Sequence, residues 1–303
     1  MLDLKKEVVM SDWVLGIIGG SGLYEIEGLE KPEWISIDTP WGVPSDDILF
    51  AELDGIKLRF LPRHGRGHPL TPSDVNYRAN IDAMKRAGCT DILSLSAVGS
   101  LKEPYPPGDF VVIDQFIDRT FKREKSFFGK GMVAHVSVAD PVCERLAGFA
   151  VKAARAAGAT VHQGGTYLAM EGPQFSTKAE SHMYRAWGCD VIGMTNMPEA
   201  KLAREAELPY ATVAMVTDYD CWHEGHGNVD VAAVIAVLME NASKASNTVK
   251  EMVKILKAEG ARTNGSQGIE TNLDVALITA PEARDPKLLA KLDAVAGRAL
   301  GKS

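Results

Sequence analysis

The sequence predicts an α/β fold in which helices cover a largely buried β-sheet. Short apolar segments alternate with amphipathic segments along most of the 303 residues, and continuous apolar runs are typical of strands that are buried on both faces. Gly88, Gly158 and Gly188 each follow an amphipathic segment and precede an apolar one. A helix commonly ends at such a glycine in the left-handed conformation. The two patterns therefore agree on where helices end and strands begin.

The individual elements follow from these patterns in chain order. The predicted strands cover residues 13–18, 58–61, 92–95, 110–113, 191–194 and 211–216. The predicted helices cover residues 77–87, 142–157, 178–187 and 199–207. Apolar residues recur on one side of each helical segment, so each helix buries one face against the sheet.

The last part of the chain has a different character. Residues 260–268 are rich in Gly, Asn, Thr and Ser and lack apolar periodicity, which indicates a flexible connection. Beyond them, residues 275–278 predict a strand and residues 286–300 predict a helix. We therefore divide the chain into one domain over residues 10–258 and an extension of unknown role over residues 259–303.

Composition and charge limit the function classes. The chain is 46% hydrophobic and 24% charged with a formal net charge of -7, which is typical of a globular protein and argues against a nucleic-acid partner. The four cysteines lie far apart, without zinc or disulfide spacing, so reduced thiols in the cytoplasm are expected. The N-terminus lacks a signal-peptide pattern, and no apolar run is long enough to span a bilayer. We expect a soluble, cytoplasmic protein without a membrane partner.

Three loops that follow predicted strands carry groups that suit an anion. The GGSG motif at residues 19–22 offers backbone amides and a hydroxyl, but its spacing fits neither a dinucleotide nor a P-loop fingerprint. Arg63 and His64 follow a second strand, and a guanidinium matches two oxygens of an anion. Ser96 and Ala97 offer a hydroxyl and an unobstructed amide. Taken alone, the first loop favours a tight turn, the second favours anion binding somewhat over a solvated basic loop, and the third fits a turn as well as an anion site. Together, at the ends of strands where α/β sheets bind ligands, they favour a local anion site.

Further segments at strand ends suggest a second partner. Phe175 lies in the EGPQFS motif at residues 171–176 and is either a core residue or faces a ligand. Asp218 and Asp220 follow a buried strand, so their carboxyl groups can point the same way and titrate together. One of them can then hold a proton near neutral pH, as protonation of a leaving base requires, although a solvated acidic turn is the alternative. The histidines lack the spacing of a metal site, and no metal is expected.

These segments occur in the order and approximate spacing of the trimeric purine nucleoside phosphorylase family, which the chain resembles from about Val14 to Ala245. The most specific stretch runs from NYRAN at residues 76–80 through AVGSL at 97–101 and PGD at 107–109 to DQFIDRT at 114–120. Within the family, the chain is most similar to members that cleave 5'-methylthioadenosine. The resemblance implies one three-layer αβα domain with a mixed central sheet.

The resemblance also implies roles for individual residues. The phosphate ligands that it implies are Ser21, Arg63, His64, Ser96, Ala97 and Thr195. Met194 resembles the ribose contact, while Phe175 and Ile192 resemble walls of the base pocket. The base-recognition pair corresponds to Asp218 and Asp220.

The resemblance extends to the pocket for the 5' substituent of the nucleoside. His135 resembles a residue that the family donates from a neighbouring subunit to cover this substituent. Val231 and Ile235 are expected to line the same apolar pocket. Gly193 stands where the family often has a larger residue.

These expectations describe an enzyme that binds a purine nucleoside and inorganic phosphate, needs no metal or organic cofactor, and forms a homotrimer or a dimer of trimers. The Asp220 carboxylate accepts a hydrogen bond, so adenine, with its N6 donor, is the expected base. A 6-oxopurine nucleoside or methylthioinosine phosphorylase is the alternative. A nucleoside hydrolase would need a carboxylate-rich metal site to activate water, and a nucleoside-binding sensor would not need Asp218.

Overall fold

One mixed sheet of eleven strands forms the middle layer of the structure. The structure is a computed structural model that describes residues 13–20, 23–24, 26–224 and 231–301, without the side chains of residues 231–233. The strands are β1 (Val14–Gly19), β2 (Glu30–Ile35), β3 (Ile48–Leu53), β4 (Ile56–Pro62), β5 (Asp91–Ser100), β6 (Phe110–Val112), β7 (Gln115–Asp118), β8 (Val161–Gln163), β9 (Thr166–Ala169), β10 (Val191–Gly193) and β11 (Tyr210–Asp218). Their order is β2-β3-β4-β1-β5-β10-β9-β7, and β11 joins β5 to β6, which in turn pairs with β8.

The helices cover both faces of this sheet. They are α1 (Tyr77–Arg86), α2 (Glu144–Ala156), α3 (Lys178–Ala186), α4 (Glu199–Glu205), α5 (Val231–Glu259), α6 (Leu273–Ala276), α7 (Pro286–Lys291) and α8 (Asp293–Ala296). Buried residues of α1 and α4 form the core on one face. Those of α2 and α5 form the core on the other face. The αβα layering and the mixed sheet confirm the expected fold class.

Strand β5 brings the two halves of the sheet together. It pairs in parallel with β1 and with β11, so these three strands point towards the same edge. Near its end, β5 pairs with β10 in the antiparallel sense, with Ile192 opposite Gly99. The chain that follows β10 therefore runs beside β5, and the hydroxyl of Thr195 lies next to the hydroxyl of Ser96. Residues that lie about a hundred positions apart in the sequence therefore meet at one place.

All of the strands and helices predicted before residue 258 are present, with ends that differ by a few residues. The three predicted helix-ending glycines have φ values of 80°, 83° and 80°. The sequence patterns did not reveal β2, β3, β7, β8 or α5. Most of these strands have only three or four residues or are largely exposed, and such segments lack a continuous apolar run.

The segment over residues 260–268 is anchored, in contrast to the flexible connection that its composition indicates. Arg262 is buried, and its Nε donates to Oδ2 of Asp91 at 2.5 Å. A second bond joins Nη2 of Arg262 to Oε1 of Glu270 at 2.9 Å. Indole Nε1 of Trp13 also donates to the Gly260 carbonyl at 2.8 Å. Composition cannot show that one arginine of a polar segment has a buried acidic partner far away in the chain.

The elements beyond this segment differ in part from prediction. Residues 275–278 do not form the predicted strand, because Leu273 and Ala276 are buried at helical spacing in α6 while Val275 is 88% exposed. The predicted helix over residues 286–300 is divided into α7 and α8 at Leu292. Buried residues of α6 and α8 join the core that α1 and α4 form.

The C-terminal part also pairs with a loop of the main domain. Ala134 forms an antiparallel bridge with Leu277. The amide of His135 donates to the Ala276 carbonyl at 2.9 Å, and the amide of Val133 donates to Oγ1 of Thr279 at 2.8 Å. The loop that contains His135 therefore takes its backbone partners from the last 30 residues of the chain.

Replacing Arg262 by alanine should destabilise the protein. The substitution removes one of the two arginine partners of the fully buried Asp91. The other partner, Arg145, remains, with its Nη2 2.7 Å from Oδ1 of Asp91. We expect the free energy of unfolding to fall by about 3 kcal/mol in urea denaturation. Lys31→Ala, which breaks an exposed pair with Glu52, is the control and should cost less than about 1 kcal/mol. Equal effects of the two substitutions would contradict the anchoring role.

Candidate active site

A cavity of about 550 Å³ lies where β1, β4, β5, β10 and β11 approach one edge of the sheet, and α5 closes its far side. This volume is within the range of small-molecule sites. Its walls include Gly20, Arg63, His64, His68, Ser96, Ala97, Phe175, Ile192, Gly193, Met194, Thr195, Thr217, Asp218, Asp220, Val234 and Leu238. Most of the residues that the sequence singles out are therefore brought together here.

Arg63 follows β4 and is 2% exposed, although it reaches the wall of the cavity. Its Nε and Nη2 donate to the two carboxylate oxygens of Glu199 at 2.8 and 3.0 Å. Further bonds from the guanidinium reach Oγ of Ser94 at 2.6 Å and the Leu95 carbonyl at 3.2 Å. Burial alone would lower the pKa of Arg63, but the Glu199 carboxylate raises it above the ordinary value. Arg63 therefore presents a fixed, charge-balanced guanidinium.

A chain of hydroxyl and amide groups extends from Glu199 towards the cavity. The hydroxyl of Tyr210 donates to Oε1 of Glu199 at 2.7 Å, and the side-chain amide of Asn196 donates to this hydroxyl at 3.0 Å. Oδ1 of Asn196 accepts from the Thr195 hydroxyl at 2.9 Å. The hydroxyls of Thr195 and Ser96 lie 2.7 Å apart. Two predicted phosphate ligands thus share one buried network with Arg63.

His64 lies next to Arg63 in the cavity wall. Its Nδ1 lies 3.0 Å from the Leu70 carbonyl, and its ring stacks on that of His68 with centroids 4.4 Å apart. Burial, followed by the charge of Arg63 and by His68, lowers the pKa of His64 to about 4. The ring is therefore neutral at neutral pH.

The two predicted acidic residues line the same cavity, at the end of β11 and just beyond it. Oδ2 of Asp218 accepts from the Thr217 hydroxyl at 2.7 Å, and Oδ1 accepts from the Asp220 amide at 2.7 Å. Burial raises the pKa of Asp218, and these two hydrogen bonds only partly oppose this effect. A buried carboxyl group of this kind can hold and release a proton.

Asp220 has a different environment from Asp218. It is 6% exposed, and its Oδ2 has no hydrogen-bond partner among the described residues. Burial raises the pKa of Asp220, while the nearby Ser181 hydroxyl lowers it. A buried acceptor without a donor is costly, so this atom is the place where a ligand donor would be most favourable.

Apolar side chains form the wall between the two polar ends. Ile192 and Met194 line this wall, together with Phe175, which is 45% exposed. At Gly193, an added Cβ would overlap the hydroxyl of Tyr167. The aromatic ring of Tyr167 therefore occupies the space that a larger residue at position 193 would need.

Several predicted site residues lie elsewhere or outside the description. Ser21 and the side chain of Val231 are not among the described residues. Ile235 is 49% exposed and is not part of the cavity wall. On α5, Val234 and Leu238 face the cavity instead, four residues apart and on one side of the helix. His135 lies in the loop that pairs with the C-terminal residues, away from the cavity of its own chain.

Sequence reasoning missed some residues that shape the cavity. Glu199 binds the guanidinium of Arg63, and Tyr210 donates to the same Glu199 carboxylate. Tyr167 fills the space beside Gly193. Thr217 stands directly beside Asp218 and could have been noticed as its neighbour. The other three give no local signal, because each acts through a partner that is distant in the sequence.

The described part of the chain contains neither a cluster of metal ligands nor a membrane-spanning helix. Among residues 13–20, 23–24, 26–224 and 231–301, no group of three or more His, Cys, Asp or Glu side chains could hold a metal ion. Within the same residues, none of the helices combines the length and the apolar character needed to cross a membrane.

Known proteins share this sequence pattern. A family model described as the phosphorylase superfamily matches residues 14–254. The S-methyl-5'-thioadenosine phosphorylase of Cereibacter sphaeroides is 62% identical over 287 residues, which cover 95% of this chain and 98% of that protein. The protein of the same name from Rhodospirillum rubrum is 62% identical over 289 residues, covering 95% and 97%.

Solved structures are similar as well. A methylthioadenosine phosphorylase from an antarctic soil metagenomic library superposes with a TM-score of 0.88 at 48% identity, covering 94% of this chain and 99% of that one. Methylthioadenosine phosphorylase from Schistosoma mansoni in complex with adenine gives a TM-score of 0.77 at 37% identity, with coverage of 86% and 96%. Both similarities extend over most of the fold described above.

Gly193→Ala should destabilise the protein, because the new methyl group overlaps the side chain of Tyr167. We expect a loss of about 1–3 kcal/mol in the free energy of unfolding. Gly193→Ala should cost less in a Tyr167→Phe background, since the hydroxyl is then absent. Gly148→Ala, where an added Cβ meets nothing, is the matched control. A Gly193→Ala protein as stable as this control would contradict the overlap.

Proposed function

The chain belongs to the phosphorylase superfamily, and from this membership we propose that it is a pentosyltransferase that cleaves S-methyl-5'-thioadenosine with inorganic phosphate. The products are adenine and S-methyl-5-thio-α-D-ribose 1-phosphate. One observation carries the proposal: a single cavity is lined both by Arg63, Ser96 and Thr195 and by the buried Asp220, whose Oδ2 has no hydrogen-bond partner in the described part of the chain. A nucleoside and an anion can therefore bind next to each other.

In this reaction, the bond between C1' of the sugar and N9 of adenine breaks, and its electron pair leaves with the base. The sugar gains oxocarbenium character, and a phosphate oxygen forms the new bond to C1' from the opposite face. The protein accelerates the reaction by holding both reactants in position and by stabilising the charges that develop. Residues of this chain can do both without a metal or organic cofactor, and we propose that none takes part.

The phosphate end of the cavity consists of Arg63, His64, Ser96, the Ala97 amide and Thr195, with Ser21 as a further expected ligand. The hydroxyls of Ser96 and Thr195 are already oriented by the network that starts at Glu199. The positions of both hydroxyl oxygens are therefore fixed, and only the hydroxyl protons have to turn from the network towards the anion when it binds. The negative charge of the bound phosphate then stabilises the cationic sugar.

At the other end, Asp218 protonates N7 of the departing base. Burial favours the protonated carboxyl group of Asp218, and the proton moves to N7 as negative charge develops on the purine. This hydrogen bond is stronger in the transition state than in the ground state, so it lowers the barrier rather than only tightening binding.

Asp220 selects the base. Its unpaired Oδ2 accepts a hydrogen bond from the N6 amino group of adenine, whereas a 6-oxopurine presents an acceptor at the same place. Two facing acceptors leave a buried polar group unpaired, which costs about 1–3 kcal/mol. The preference for adenine therefore rests on a single atom, and a 6-oxopurine nucleoside or methylthioinosine phosphorylase remains the second candidate.

The sugar and its 5' substituent lie against the apolar wall. Met194 contacts the ribose, and Phe175 and Ile192 flank the base. Val234 and Leu238 supply apolar surface from α5, with Val231 as a further expected neighbour. We propose that His135 completes this pocket in a neighbouring subunit, so that the working form is a homotrimer or a dimer of trimers.

The remaining parts of the proposal concern the cellular role. We propose a cytoplasmic enzyme that degrades methylthioadenosine and returns adenine and the methylthio sugar to purine and methionine salvage. Its partners are small molecules, and neither a nucleic acid nor a membrane is part of the function.

Phosphate dependence tests this function directly. Incubation with S-methyl-5'-thioadenosine should release adenine only when inorganic phosphate is present, and should form one sugar 1-phosphate per adenine, as measured by chromatography. Adenosine should react more slowly, and inosine slowest. Adenine release without phosphate would indicate a hydrolase, and binding without release would indicate a sensor. A clear preference for inosine would favour the 6-oxopurine alternative.

Substitution of the two aspartates should have separable effects. Asp218→Asn should lower kcat for every nucleoside by about 10²- to 10⁴-fold, because the general acid is lost. In the unchanged protein, kcat should fall as the pH rises through the raised pKa of Asp218, and this limb should be absent from the variant.

Asp220→Asn is the matched comparison, because its amide can donate to a 6-oxopurine. It should shift the ratio of kcat/KM for adenine and hypoxanthine nucleosides by about tenfold or more. Equal losses of kcat in both variants, without a change in base preference, would contradict the division of roles.

A further inference from the structure

An irregularity in the pairing of β11 with β5 carries an inference about Thr217. Val216 of β11 pairs with Val98 of β5. Asp218 pairs with Gly99, the next residue of β5, so Thr217 is an extra residue in β11. Successive side chains of a regular strand point to opposite faces, whereas a bulge of this kind turns one of them. The bulge therefore allows two neighbouring side chains, those of Thr217 and Asp218, to meet in the cavity wall.

The hydroxyl of Thr217 has one proton and two acceptors within reach. Its oxygen lies 2.7 Å from Oδ2 of Asp218 and 3.2 Å from the backbone carbonyl oxygen of Val98. The carbonyl oxygen only accepts, whereas Oδ2 accepts when the carboxyl group is ionised and donates when it carries the proton. The hydroxyl can therefore serve both protonation states of Asp218. It donates to Oδ2 in the ionised state and to the Val98 carbonyl in the protonated state.

The hydrogen bond at the other carboxyl oxygen favours Oδ2 as the atom that carries the proton. Oδ1 of Asp218 accepts from the amide of Asp220 at 2.7 Å, and an amide N–H can only donate. Gly99 leaves room for this arrangement, since an added Cβ there would lie 2.8 Å from Oδ1. A protonated oxygen is a weaker acceptor than an ionised one. The proton of Asp218 therefore belongs on Oδ2, next to Thr217.

The electrostatic surroundings of Asp218 make this hydroxyl important. Burial raises the pKa of Asp218, and Asp220, the titratable group that acts on it, raises it further. The hydrogen bonds from the Thr217 hydroxyl and the Asp220 amide lower the pKa. The amide is part of the backbone and keeps its direction in both protonation states, whereas the hydroxyl can turn. Thr217 is therefore the side chain that favours the ionised form when it forms.

We propose that Thr217 is a positioning residue for Asp218, and that its hydroxyl turns from the Val98 carbonyl to Oδ2 as this oxygen loses its proton. In the proposed reaction, the Oδ2–H bond breaks, its electron pair stays on the carboxylate, and the proton binds the lone pair of N7 of the purine. The Thr217 proton stays on its own oxygen throughout. The inference rests on the proposed function for the identity of the proton acceptor, but not for the arrangement of the two side chains.

The pKa of Asp218 tests this arrangement without turnover. Carboxyl resonances of the full chain labelled with ¹³C-aspartate are followed against pH by NMR, and Asp218 is identified by its loss in Asp218→Asn. Thr217→Val removes a donor to the ionised form, so the pKa of Asp218 should rise by about one unit or more. Thr217→Ser keeps a hydroxyl and should restore the original pKa. Thr248→Val removes a buried hydroxyl that binds the Lys244 carbonyl outside the cavity, and it should leave the pKa unchanged.

Single-turnover release of adenine tests the consequence for the reaction. In Thr217→Val, the rate constant should fall about tenfold, because the carboxylate that forms is less stabilised. The limb that declines with rising pH should move to higher pH, in the direction of the pKa. Thr217→Ser should recover both, and Thr248→Val should change neither.

An unchanged pKa of Asp218 in folded Thr217→Val would overturn the inference. A loss of rate in this variant without movement of the pH limb would also overturn it, because a merely structural role has that effect. If Thr217→Val does not fold, Thr217→Ala takes its place with the same expected shift. A shifted pKa in a protein that does not release adenine with phosphate would count against the proposed function and not against the pairing of Thr217 with Asp218.

Discussion

The buried ion pair of Arg63 and Glu199 is the interaction on which the cavity depends. Arg63 follows β4 and Glu199 begins α4, and the guanidinium also binds backbone carbonyls of β1 and β5. Tyr210, at the start of β11, donates to the same carboxylate. The pair therefore ties the strands that border the cavity to the helix behind them. Because both charges are removed from water, each is tolerable only while the other is in place.

The two ends of the cavity use opposite electrostatic arrangements. At the anion end, the single positive charge is neutralised by Glu199, and two hydroxyl groups lie 2.7 Å apart. At the base end, two carboxyl groups are desolvated, which raises the pKa of both. Asp220 also adopts a left-handed backbone with φ of 51°, a conformation that costs energy and is maintained by the surrounding structure. Both arrangements are built from contacts among the protein's own residues, and sites preorganised in this way lower a barrier.

Much of the fold was predictable because its central strands are continuous apolar runs and its helices end at glycines. The wall of the cavity was largely predictable as well, since Arg63 follows such a strand and Asp218 ends one, although Ser96 lies within β5 and not in a loop after it. The roles of Glu199 and Arg262 were not predictable, because each depends on a buried partner more than a hundred residues away. The resemblance implied Ile235 as a pocket residue, whereas Val234 and Leu238 line the cavity of this chain and Ile235 does not.

The pairing between the His135 loop and the last part of the chain has a consequence for the order of assembly. Val133 and its partner Thr279 are separated by 146 positions, and contacts over such separations form late because much chain entropy is lost in closing them. During synthesis, Thr279 emerges from the ribosome long after Val133. The His135 loop can therefore reach its final shape only once Thr279 has left the ribosome. A nascent chain can hold a nearly complete cavity while the His135 loop still lacks its backbone partners.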